Sequence, residues 1–286
     1  MAVEELKKTL VLGHRNPDTD SICSAICYAG FKHQLTGENY EPCRAGNVNP
    51  ETQYVLDYFK LKAPRLVENV KTQVKDIEIR KTKGVSRGIS LKNAWGLMQE
   101  NNVVTLPCVT EEGLLEGVIT IGDITKSYMN LYDSSIISKA CTKYANILDT
   151  LEGSMVVGDS EAYFDRGKVL IAAANPDLME NYIEKHDLVI LGNRYESQLC
   201  AIEMEAGCII VCEGAGVSLT IRKLAQERGC AVITTPYDTY TTARLINQSM
   251  PISYFMTKEN IIEFSEEDDL DDIREIMASK RHRDFP

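Results

Sequence analysis

The sequence predicts an α/β protein with parallel sheets, laid out as four consecutive segments of 1–64, 65–131, 132–248 and 249–286. Three observations support this. Strand-length apolar runs alternate with helix-length runs in the first and third segments, the rhythm that builds parallel sheets. The second segment has the order β-α-β-β-α. The last segment repeats only the start of that order, with hydrophobic content (44%) ordinary for a chain with a core.

The first segment reads strand Leu10–Gly13, helix Ser21–Leu35, strand Tyr40–Arg44 and helix Glu51–Phe59. Asn49-Pro50-Glu51 is a helix start, with proline in the first turn and an acid beside the positive helix end. Two strands cannot make a stable sheet, so partner strands are expected from elsewhere. The first strand runs through His14-Arg15-Asn16-Pro17-Asp18-Thr19-Asp20 into the first helix. One imidazole and two carboxylates thus meet at a strand-to-helix turn, a common place for ligands in α/β folds. His14, Asp18 and Asp20 offer the oxygen-rich donor mixture that manganese or magnesium prefers. Two such ions activate water for attack on phosphorus. The plainer reading is turn chemistry, with Asn16-Pro17-Asp18 starting the turn and Asp20 capping the helix.

In the second segment Ser90 caps a helix running through Gln99, followed by strand Val103–Val109, a turn at Glu111-Glu112-Gly113 and strand Leu115–Thr120. Thr120 and Asp123 stand three apart where that strand turns into the last helix. Asp123 reads as an N-cap of the helix that follows. Arg80-Lys81-x-Lys83 is a solvated charge run or a polyphosphate partner.

The third segment alternates strands Lys168–Ala174, Leu188–Leu191, Cys208–Cys212 and Ala231–Thr234 with helices Pro176–Lys185, Glu196–Ala206 and Ser218–Arg228. Gly214-Ala215-Gly216 lacks the third glycine and distal acid of a dinucleotide loop, so it is a tight turn. Asp238 opens another helix as a cap. In the last segment Ile261–Phe264 is a strand, Asp271–Ser279 an acid-rich helix, and Arg283–Pro286 the entry to a further strand.

A net charge of −11 argues against a nucleic-acid phosphate binder, and a phosphate substrate would need cations to draw it in. No secretory signal or spanning apolar run is visible, which predicts a soluble cytoplasmic protein without membrane partners. The nine cysteines include no Cys-x-x-Cys pair and are expected to be reduced core residues rather than zinc ligands.

His14-x-Asn16-Pro17-Asp18-x-Asp20-Ser21 resembles the first motif of the DHH phosphoesterase superfamily, and most closely that of the family II, manganese-dependent inorganic pyrophosphatases. The string Ala45-Gly46-Asn47-Val48-Asn49-Pro50-Glu51-Thr52-Gln53-Tyr54-Val55-Leu56 is similar to the segment those enzymes carry after their first helix. The resemblance implies that His14 and Asp18 hold one metal and Asp20 the other, with Asn49 and Glu51 as scaffold. The family's Asp-His-His motif, its Val-Asp-His-Asn-Glu-like stretch and its phosphate-gripping domain are missing from the sequence.

Val118–Ile124 closes a segment that resembles a CBS motif, which makes Thr120 and Asp123 the expected ribose–phosphate contacts. Gly192-Asn193-Arg194-Tyr195-Glu196-Ser197-Gln198 lies where DRTGG domains carry their signature, in degraded form, and Met250–Phe285 resembles the first half of a second CBS motif. The order partial DHH, CBS, DRTGG, partial CBS resembles CBS-regulated family II pyrophosphatases, and implies an N-terminal fragment inactive by itself. The implied reaction is hydrolysis of pyrophosphate to two phosphates with Mn2+, or alternatively Co2+ or Mg2+. The implied regulators are AMP, ADP, ATP or a diadenosine polyphosphate, in a homodimer. The alternatives are a non-catalytic adenine-nucleotide sensor that dimerises, and a DHH phosphoesterase acting on nucleotides or single-stranded nucleic acid.

Overall fold

The structure is a computed structural model that describes residues 8–79, 82–129, 133–280 and 285. Arg80, Lys81 and most of the Arg283–Pro286 stretch lie outside the described residues. The chain divides into two compact units, one comprising the residues up to Ile77 with Glu266–Ile276, the other Glu78–Ser265 with the terminal residues from Met277.

In the first unit, β1 (Thr9–Val11), α1 (Thr19–Thr36), β2 (Tyr40–Arg44), α2 (Pro50–Tyr58) and β3 (Arg65–Leu66) follow one another. The sheet order is β1-β2-β3, all parallel, with Thr9 opposite Tyr40 and Cys43 opposite Arg65. The short third strand comes from the start of the second segment, outside the first, as the sequence reading expected of partner strands. α1 packs against β2 and buries Ile22, Ala25 and Ala29; it stops at Gly37, whose left-handed φ of 72° suits a residue without Cβ. Lys71 Nζ pairs with Asp269 at 2.9 Å, and Leu270 N donates to Thr72 O, which ties Glu266–Ile276 to the same unit.

The second unit opens with α3 (Leu91–Glu100), β4 (Thr105–Val109), β5 (Leu115–Thr120) and α4 (Ile121–Met129). β4 and β5 are antiparallel, and the pair is widened on both edges by isolated bridges. Val85 lies parallel to β4, and Thr257 exchanges two backbone hydrogen bonds with Val118 of β5 at 3.0 and 2.9 Å. Gly117 permits that approach, since a Cβ there would stand 2.8 Å from Thr257 O.

Next come α5 (Ile136–Lys139), β6 (Thr142–Lys143), α6 (Tyr144–Thr150), β7 (Ser154–Val157), β8 (Tyr163–Phe164), β9 (Val169–Ile171), α7 (Pro176–Met179), β10 (Leu188–Leu191) and α8 (Tyr195–Glu203). β11 (Cys208–Val211), α9 (Leu219–Arg228), β12 (Ala231–Thr234) and α10 (Thr239–Leu245) complete the layer. The five-stranded sheet has the order β7-β12-β11-β10-β9 and is parallel except for β7. Every crossover from β9 to β12 steps one strand in the same direction, and right-handed connections then place the helices on one face.

That face buries Val189, Leu191, Ile209, Val211 and Val232 with Ala201, Ile202, Ile221 and Ala225. The alternate residues Leu188, Ile190, Cys208, Ile210 and Ile233 share a second core with Leu91, Met98, Leu106, Ile119, Met250 and Ile252. Strand alternation thus divides one sheet between two cores.

Several sequence expectations change. The helix over Pro176–Lys185 is a single turn, Pro176–Met179, continued by hydrogen-bonded turns such as Tyr182 N to Met179 O. Strand Lys168–Ala174 shrinks to Val169–Ile171, the stretch that pairs with β10. Ile261–Phe264 forms no strand, for no described strand runs beside it to share a ladder. Seven of the nine cysteines are buried or half-buried, but Cys27 and Cys141 are exposed rather than in the core. α11 (Leu270–Lys280) agrees with the acid-rich helix expected there.

Candidate functional site

β1 ends three residues before His14, and Pro17 is buried, so the turn is clamped at its middle with its polar groups outward. Asp18, not Asp20, caps α1: its backbone is extended and Oδ1 accepts the Ser21 amide at 2.9 Å. That amide is the first cause holding the Asp18 carboxyl below its ordinary range, with His14 also favouring the anion. His14 Nε2 stands 3.4 Å from Asp18 Oδ1, and the two side chains are 59% and 62% exposed. Asp20 sits in the first turn of α1, where one oxygen accepts Ser24 Oγ at 3.3 Å.

A second loop supports the turn from below. A Cβ on Gly46 would lie 2.5 Å from Arg15 O and 2.7 Å from Pro17 Cδ, so only glycine lets the chains touch. Asn49 caps α2 through Thr52 N at 2.7 Å, and Thr52 Oγ1 meets Thr19 Oγ1 at 3.0 Å. Asn49 is therefore scaffold, while Glu51 is exposed in the first turn of α2. Sequence reasoning placed Gly46, Ser21 and Thr52 within family strings without a contact of their own, and placed Gly13 only at the end of a strand. Their contacts join residues remote in the chain.

The structure brings His14 and Asp18 together and leaves Asp20 apart. Among the described residues no group of three or more His, Cys, Asp or Glu gathers in metal-binding geometry. The pair still suits a hard divalent cation: imidazole beside an ionised carboxylate, both open to solvent. These donors fit part of a coordination sphere.

The second site lies at the β5–α4 junction. Asp123 Oδ2 accepts Thr120 Oγ1 at 2.7 Å and Thr120 N at 3.0 Å, and Thr120 Oγ1 accepts the Asp123 amide at 3.2 Å. The reciprocal pattern is a capping box: Thr120 is the cap and Asp123 the third helical residue, which corrects the reading of Asp123 as N-cap. Among the described residues Asp123 Oδ1 has a loose 3.9 Å contact with Lys126 Nζ. A separate hollow of about 370 Å³ between α4 and α10, walled by Tyr128, Tyr240, Arg244 and Asn247, does not include this pair.

Comparison with known proteins bears on the domains that carry these sites. A CBS-domain profile matches residues 74–130 and a DRTGG-domain profile residues 146–249. The cobalt-dependent inorganic pyrophosphatase of Clostridium perfringens is 39% identical over 276 residues, 96% of this chain and 50% of that protein. The crystal structure of the CBS and DRTGG domains of the regulatory region of C. perfringens pyrophosphatase, complexed with its activator diadenosine tetraphosphate, superposes with a TM-score of 0.71 at 35% identity. It covers 76% of this chain and 94% of that one. This chain belongs to the inorganic pyrophosphatases that carry CBS and DRTGG domains. A probable manganese-dependent inorganic pyrophosphatase of Thermotoga maritima is 29% identical over 282 residues, 98% of this chain and 51% of that protein. The chain thus spans about half the length of these curated relatives. Within the pyrophosphatase family it holds a CBS and a DRTGG module.

Proposed function

We propose that this chain is part of a metal-dependent hydrolase that splits inorganic pyrophosphate into two phosphates under the control of adenine nucleotides. The observation that carries this reading is the His14–Asp18 pair at the β1–α1 turn, in a chain 39% identical over 96% of its length to a cobalt-dependent pyrophosphatase. His14 and Asp18 hold one cation, Asp20 contributes to a second, and residues outside this chain complete both sites. When bound, Mn2+ or Co2+ supplies positive charge that screens phosphoryl oxygens and acidifies water. The Ser21 amide keeps Asp18 ionised and aimed, and Gly46 and the Thr19–Thr52 contact hold the turn rigid beneath it.

The regulatory reading rests on Thr120 and Asp123, which accept the ribose of AMP, ADP, ATP or a diadenosine polyphosphate at the β5–α4 junction. The family relationship supports a homodimer. A net charge of −11 and the absence, among the described residues, of any helix long and apolar enough to cross a membrane support a cytoplasmic protein without nucleic-acid partners. The segments 1–64, 65–131, 132–248 and 249–286 are its catalytic beginning, CBS motif, DRTGG module and second CBS beginning. Phosphate release from pyrophosphate with Mn2+ tests the reading: a longer polypeptide that completes the site turns over, residues 1–286 alone do not, and Asp18→Ala abolishes turnover. Undiminished turnover in that variant removes the catalytic reading. Nucleotide heats without turnover in the longer polypeptide would leave a sensor.

A further inference from the structure

Ser21 occupies the third position of α1, is 9% exposed, and has an Oγ without a hydrogen-bond partner among the described residues. A buried hydroxyl normally keeps a partner, because stripping its water without replacement is unfavourable. Here the side chain fills space instead. A Cβ on Gly13 would lie 1.9 Å from Ser21 Oγ, 3.1 Å from Ser21 Cβ and 3.3 Å from Ser21 O. Gly13 has a φ outside the left-handed region, so it is close approach and not backbone freedom that calls for glycine.

Ser21 therefore touches both arms of the turn. Its amide grips the Asp18 carboxylate at 2.9 Å, and its hydroxyl rests against the residue covalently joined to His14. We propose that Gly13 and Ser21 are a matched positioning pair that sets the separation of His14 and Asp18, and with it their ability to share one divalent cation. The metal half of this inference rests on the reading of the turn given above; the positioning half rests on the contacts alone. Neither residue touches the cation or the substrate in this account. Adding a methyl group at 13 pushes either Ser21, and with it Asp18, or the strand end that carries His14.

Two measurements on the longer polypeptide that completes the site separate the halves. The first is the metal-free His14 Nε2–Asp18 Oδ1 separation, read from crystal structures of the variants. The second is Mn2+ binding, followed by paramagnetic broadening of the His14 imidazole signals. Gly13→Ala is expected to open the separation beyond about 4 Å, out of ion-pair reach. It is also expected to raise the Mn2+ concentration for half-broadening about tenfold, the usual cost of disturbing a residue behind a metal ligand. Combining Gly13→Ala with Ser21→Gly empties the contested space and is expected to restore both values, a rescue that general destabilisation does not produce.

Should Gly13→Ala fail to fold, Ser21→Thr enlarges the same contact from the other side and is expected to act in the same direction. An unchanged separation in the enlarged variants, or a loss that Ser21→Gly does not rescue, overturns the pair. Broadening absent from the wild-type chain removes the metal reading, while the separations still decide the positioning.

Discussion

Thr120 and Asp123 hold one another in both directions: the hydroxyl of Thr120 donates to the carboxylate at 2.7 Å and accepts the Asp123 amide at 3.2 Å. The contact starts α4 and at the same time fixes the carboxylate in place before any ligand arrives. A single pair thus starts a helix and holds a carboxylate in one orientation.

Asp123→Ala should separate the two roles. Loss of the reciprocal cap is expected to lower stability by about 1 kcal/mol, the usual cost of a missing helix cap. Urea unfolding measures this, and calorimetry with AMP or diadenosine tetraphosphate measures the ligand role. A stability loss with unaltered nucleotide heats would reduce Asp123 to a partner in the capping box.

The sheet of the second unit shares its core with the CBS motif, so damage on one should be felt on the other. Ile210 lies on β11 and is fully buried in the cluster that contains Met98 and Ile119. Ile210→Ala is expected to cost about 2–5 kcal/mol, as large-to-small changes in cores do. Trp95, the chain's single tryptophan, rides on α3 of the CBS motif and reports the unfolding by fluorescence. The transition seen by Trp95 should shift together with that seen by circular dichroism. Two separate transitions would contradict a shared core.

Asp133 provides a pH prediction. The Lys139 ammonium, with the Ser135 hydroxyl and amide, pulls its carboxyl down to about 2. Its folded pKa lies below the ordinary 3.8, so the anion's stabilising effect is present above that value and is lost as pH falls towards about 2. Asp133→Asn should therefore be less stable than wild type at neutral pH, and the difference should close over that acidic window. Because the carboxylate is solvent-exposed, the effect is expected to be small and to weaken in salt. Thermal midpoints across the window check it.

Thiol reactivity should sort the cysteines by depth. Cys27 and Cys141 are exposed, whereas burial raises the thiol of Cys230 to about 12 and that of Cys208 well above its usual value. A thiol-disulfide reagent is expected to label Cys27 and Cys141 quickly and to reach Cys208 and Cys230 only on unfolding. Mass spectrometry of the labelled peptides identifies the sites.

Much of this was legible beforehand. Strand and helix positions followed from apolar periodicity, as at Leu188–Leu191 and Ala231–Thr234, which agree to the residue. The caps Ser90 and Asp238 were legible as well, because a cap is a contact between near neighbours. The failures have a common origin. The turns after Met179, the antiparallel β7 and the absence of a strand over Ile261–Phe264 all depend on what lies alongside in space, which a linear pattern does not record.

The amino-acid order by itself determined which residues are polar, which are apolar and at what period, and hence the alternation of elements and the gathering of His14, Asp18 and Asp20 within seven residues. Tertiary structure decided that His14 meets Asp18 and not Asp20, that Gly13 must yield its Cβ space to Ser21, and that one sheet serves two cores. Local periodicity is carried by neighbours along the chain, whereas close approach and shared burial exist only between segments that folding brings side by side.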